Sequence, residues 1–74
     1  MSRHESIEPM EVINAPWNKE LTVSDVTYEG GFKMLHIRIK EGKRFTDLEL
    51  DHLTAKHMAA LMGAWADKNT PADE

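Results

Sequence analysis

The chain has 74 residues and no cysteine, and thirteen acids against nine bases leave it at −4. This length supports one domain, and the lack of cysteine excludes disulfides, thiolate zinc sites, iron–sulfur clusters and thiol catalysis. In so short a chain apolar burial roughly cancels the ordering cost, so self-association is the expected added stabiliser, giving a homodimer formed through a helix or a sheet edge.

The N-terminal stretch Met1 to Val12 has no apolar run of the ~7–15 residues a signal peptide needs. No window approaches the ~18 apolar residues of a membrane span. A cytoplasmic protein without membrane contact is expected. Residues 1–9 are polar and read as a mobile lead-in, 10–68 as one domain, and 69–74, with Pro71 and two acids, as a mobile tail.

A short strand around Met10 to Ile13, bounded by Pro9 and Pro16, is compatible with the pattern. Leu21 to Tyr28 reads as a strand in which Leu21 and Val23 are out of step with Val26 and Tyr28, the signature of a β-bulge near Ser24-Asp25. Gly30-Gly31 supplies a turn. In 33–40, Leu35, Ile37 and Ile39 alternate with His36, Arg38 and Lys40, the clearest strand signal in the chain. Glu41-Gly42 reads as a two-residue turn, followed by a strand to Leu50. Asp51 caps a helix running to about Asp67 with Leu53, Met58, Leu61, Met62 and Trp65 as its apolar stripe. The predicted fold is α+β: an antiparallel β-meander of three or four strands followed by one C-terminal α-helix, with all sheet aliphatics facing the helix. Trp17 and Trp65 read as structural lids, Met58 and Met62 as core or dimer packing, and His57 as bordering the core.

The turns imply a register. Across Glu41-Gly42, Lys40 faces Lys43, Arg38 faces Phe45 and His36 faces Asp47. Across Gly30-Gly31, Val26 faces Leu35, and past the bulge Val23 faces Ile37. The sheet face away from the helix then collects Thr22, Thr27, Met34, His36, Arg38, Lys40, Lys43, Phe45, Asp47 and Glu49. Residues 33–44 hold five bases and one acid, so a +4 segment sits in a chain that is −8 elsewhere. Cations around an exposed aromatic are the physical pattern of single-strand nucleic-acid binders; a solvated polar face explains the same residues. His36, flanked by Asp47 and Asp25, is a weak candidate for a metal or acid–base row, with a polar cross-strand ladder as the ordinary alternative. No phosphate-loop, dinucleotide, zinc-protease or nucleophile-elbow motif is present, and neither catalytic residues nor a cofactor are expected.

The stretch Trp17-Asn18-Lys19-Glu20-Leu21, then Gly30-Gly31, then Ile37-Arg38, then Leu50 before a helix, resembles the bacterial members of the PC4-like transcriptional coactivator family over about residues 10–66. The resemblance implies a curved four-stranded sheet, dimerisation through the helices and single-stranded DNA binding on the sheet, with Lys19, Arg38, Lys40 and Phe45 at the matching positions. The expected function is non-enzymatic nucleic-acid binding through Lys19, Arg38, Lys40, Lys43 and Phe45. The alternative is a homodimeric interaction or structural protein without nucleic acid.

Overall fold

The structure, a computed structural model, describes residues 4–71. Four antiparallel strands form one sheet in the order β1 (His4–Ala15), β2 (Lys19–Tyr28), β3 (Lys33–Glu41), β4 (Arg44–Leu50), and a single helix α1 (His52–Asn69) follows. The α+β meander with a C-terminal helix is therefore present. Of the ends expected to be mobile, 1–3 and 72–74 lie outside the described residues. Residues 4–9 belong to β1, a full strand of 12 residues where only a short one was expected.

The bulge lies in β1. Pro9 faces Ser24 and Glu11 faces Val23, so Met10 is the extra residue, and a second register shift lies between His4 and Ser6. β2 pairs with β3 without interruption from Lys19↔Glu41 to Thr27↔Lys33. The cause is the loop. Tyr28 donates its N–H to the Phe32 carbonyl at 2.9 Å and accepts one from Gly31 at 2.9 Å, which leaves a three-residue loop, Glu29-Gly30-Gly31. Its glycines sit at φ 95° and 90°, a region open mainly to residues without a Cβ. A three-residue loop moves the partners next to it by one from the two-residue expectation, so that Val26 faces Met34 and Thr27 faces Lys33, while Val23 faces Ile37 as predicted. No bulge in β2 is then needed, and its change of phase becomes a change of face.

Alternation along the paired strands puts Leu21, Val23, Leu35, Ile37, Ile39 and Leu48 on one face, here the aliphatic face, with Leu50 at its end. Thr22, Ser24, Val26, Tyr28, Met34, His36, Arg38, Lys40, Phe45, Asp47 and Glu49 share the other, polar face. Val26 thus leaves the aliphatic set, and Thr27 joins the aliphatic face. Among the described residues the buried apolar ones are Val26, Tyr28 and Leu50, with Ser24 the buried polar one. Val26, fully buried on the polar face, anchors a small core at the β2–β3 loop end. There the Tyr28 and Phe32 rings stack at 4.9 Å and 11°, and the Tyr28 hydroxyl crosses β3 to donate to the Glu49 carboxylate.

The β3–β4 turn is Gly42-Lys43, so Glu41 faces Arg44, Lys40 faces Phe45, Arg38 faces Asp47 and His36 faces Glu49, a slide of two residues from the predicted register. Hairpin turns of two residues need φ > 0 at their first central position. Gly42, at φ 59°, takes it, and Glu41 would be strained there. A slide of two preserves the face of every β4 residue.

The helix does not lie along the sheet as expected. Asp51 alone separates Leu50 from His52, in extended conformation at φ −79° and ψ 174°. One extended residue cannot fold a helix back over the strand it follows. α1 meets only β3 and β4 and buries none of its residues; Ala55 and Met58, in its first two turns, are half-buried. The molecule is accordingly long, 48 × 31 × 17 Å. Asp51 caps the helix by accepting from the Thr54 N–H at 2.9 Å. Trp17 and Trp65, 87% and 68% exposed, cover nothing in a single chain, and His57 is exposed.

Val26→Ala is expected to cost about 2 kcal/mol, two buried methyl groups plus the cavity they leave, measured as a lower urea midpoint at unchanged slope. Leu48→Ala, on the open aliphatic face, would cost far less in an isolated chain.

Candidate nucleic-acid interface

Three cross-strand rows build the polar face: Glu20, Lys40 and Phe45; Thr22, Arg38 and Asp47; Ser24, His36 and Glu49. Arg38 holds its carboxylate partner with both ends of its fork, Nε to Asp47 Oδ1 at 2.9 Å and Nη2 to Oδ2 at 3.3 Å. His36 Nε2 meets the same Oδ1 at 2.8 Å from the neighbouring row. The Arg38 guanidinium carbon also lies 5.3 Å from the centroid of the Phe45 ring, within cation–π range. The hydrogen bond from Arg38, and then that from His36, holds the Asp47 carboxyl below the usual carboxylate range. Asp47 is thus a clip: it holds Arg38 over Phe45 and offsets its charge.

The other cations divide by place. Lys19, which alternation sets on the aliphatic side, pairs with Glu41 at 3.2 Å. It does not join Arg38 and Phe45 on the polar face. Lys33 pairs with Asp25 at 2.8 Å, which raises its ammonium pKa. Among the described residues no ion pair involves Lys40, Lys43 or Arg44, and these three cluster at the β3–β4 turn. Phe45 is 55% exposed beside them.

The β1–β2 loop reaches the same end of the sheet, since Ala15 faces Lys19 and Lys19 faces Glu41. Trp17 and Asn18 occupy this loop at φ 60° and 58°. For a tryptophan that conformation is costly, and its indole points into solvent. Asn14, Asn18, Lys19, Glu20, Lys40 and Gly42 surround a shallow hollow there. Sequence reasoning missed Trp17 at this end of the sheet, and Arg44, which faces Glu41, lies with Lys19 on the aliphatic side. The signal for Trp17 was a β1 long enough to make Pro16–Asn18 a hairpin loop; with only a short first strand in view, the residue read as a lid.

The Asp25-His36-Asp47 row does not form. Asp25 faces Leu35 on the aliphatic side and bonds Lys33, while His36 and Asp47 meet on the polar side. No group of three metal-ligating side chains occurs among the described residues. The remaining His36–Asp47–Arg38 cluster is a polar ladder with one carboxylate shared between two donors.

Fold and surface together define a small α+β protein with one chemically divided sheet. The chain belongs to the DUF6967 family, a family of unknown function, whose model matches residues 4–68. No curated protein and no solved structure matches it. No helix among the described residues is long and apolar enough to cross a membrane.

Because the folded pKa of Asp47 is depressed, its contribution to stability is present above the ordinary carboxylate range and is lost as pH falls through the folded value. Asp47→Asn is therefore expected to lower the thermal midpoint at neutral pH, with the gap to the parent protein closing in strong acid. A gap independent of pH would show that the clip carries no electrostatic stabilisation.

Proposed function

We propose that the protein is a non-enzymatic, cytoplasmic nucleic-acid-binding protein, acting as a homodimer, that takes a single strand against the turn end of its polar sheet face. The observation that carries this reading is Phe45: a half-exposed ring flanked on its own face by Arg38 and Lys40, with Lys43 in the adjoining turn and no ion pair on Lys40 or Lys43 among the described residues. Lys40 and Lys43 supply phosphate neutralisation, which dominates affinity for nucleic acids. Phe45 offers a stacking platform, and Trp17 a second one at the same end. Arg38 acts less as a free charge than as a support that Asp47 holds over the ring. The likeness of the Trp17–Leu21 stretch to PC4-like proteins supports the same reading.

Anisotropy of a labelled single-stranded oligonucleotide tests it. Binding is expected at low salt, weakening with a log–log slope of about −1.4 if two phosphates are neutralised per chain. Arg38→Glu with Lys40→Glu should abolish binding. Phe45→Ala should weaken it about 5- to 150-fold, the equivalent of about 1–3 kcal/mol for one stacked base. No binding at low salt overturns the reading in favour of an interaction protein without nucleic acid. Binding unchanged by Phe45→Ala removes stacking from it.

A further inference from the structure

A single chain leaves two apolar surfaces without partners. One is the aliphatic sheet face, where Leu21, Val23, Leu35, Ile37 and Ile39 are only half-buried and Leu48 is 41% exposed. The other is the far part of α1. The face that begins with half-buried Met58 continues along the helix as Leu61, Met62 and Trp65, at the three- and four-residue spacing that aligns side chains on one stripe. These three are 60%, 60% and 68% exposed, because the helix leaves the sheet after its first turns. An 18-residue helix is about 27 Å long at 1.5 Å per residue, enough to cross a four-stranded sheet whose strands lie about 4.8 Å apart.

The areas point the same way. A compact monomer of 8.5 kDa exposes about 4,700 Å², whereas this chain exposes 6350 Å². The excess, about 1,700 Å², is more than the about 800 Å² each partner contributes to a standard interface. The radius of gyration, 14.7 Å, likewise exceeds the about 11 Å of a compact 74-residue chain. Among the described residues, three buried apolar residues make a thin core for a stable fold, so the missing cover must accompany every folded copy. A second copy satisfies that condition, and each copy carries both halves of the contact.

We propose that two chains pair reciprocally, each laying the Leu61, Met62 and Trp65 stripe of its helix across the aliphatic sheet face of the other, over Ile37 and Leu48. This deepens the homodimer element of the reading above and rests on it. The contact is isologous and closes at two copies. It leaves Phe45, Lys40 and Lys43 on the opposite side, open to a ligand.

Light scattering after size exclusion, without nucleic acid, should give twice the 8.5 kDa chain mass. Met62→Glu with Trp65→Glu should halve that mass and lower the urea midpoint; in a chain that stays single, these exposed side chains could be changed with neither effect. The absence of cysteine allows a direct readout of geometry. Leu48→Cys and Met62→Cys proteins, unfolded together, refolded and oxidised, should form a disulfide between the two different chains. A cooperatively folded protein of single-chain mass overturns both the pairing and the homodimer. A dimer in which Met62→Cys links only to its own kind overturns helix-on-sheet seating in favour of helix against helix, and leaves the homodimer standing. Oligonucleotide binding fails or holds independently of both.

Discussion

The number of residues in one loop decides what each side of this sheet is made of. Glu29-Gly30-Gly31 joins β2 to β3 with three residues. In a structure of period two, an odd loop instead of an even one exchanges the faces of one strand relative to the next. Here it sends Val26 and Tyr28 to the side of His36 and Arg38, and Leu21 and Val23 to the side of Ile37 and Ile39. β2 thereby serves two apolar regions at opposite ends of the sheet. The small core under Tyr28 and the broad aliphatic field beside the helix both follow from that count, and both need two consecutive glycines at positive φ.

The parts of the fold set by local chemistry were legible. The alternation in 33–40, the cap at Asp51 and the helix after it are written in adjacent residues, and they appear where the pattern puts them. What the sequence hid is non-local. Nothing in Gly30-Gly31 announces whether Glu29 joins the loop, and only the ladder of partners decides it. The out-of-phase pairs in β2 carried the right information, a switch of phase, which two-sided burial explains as well as a bulge does. β1 was obscured by Pro9 and by its length, because an edge strand carrying a proline and a bulge presents no clean alternation.

The candidate site was legible in its residues more than in its arrangement. Arg38, Lys40 and Phe45 share a face as expected, because the two-residue slide of β4 preserves parity. Lys19 does not, since the pairing of β2 and β3 turns it to the aliphatic side, where Glu41 holds it. Charge counts along the chain also mislead about strength. Of the five bases in 33–44, Lys33 and Arg38 are engaged by Asp25 and Asp47. The working positive charge is concentrated at the turn and not spread over the strand pair. Trp17 belongs to the same end only because a long β1 brings its loop there.

The two edges of the sheet are unequal. β1 carries Pro9, which has no N–H to donate, and an unpaired Met10 that breaks the ladder. β4 pairs with β3 without a bulge and contains no proline. A further strand can therefore extend hydrogen bonding cleanly on the β4 side alone. Adding copies edge to edge needs a receptive rim on both sides, and the proline and bulge of β1 blunt one of them, so the chain carries its own guard against growth through its sheet edges.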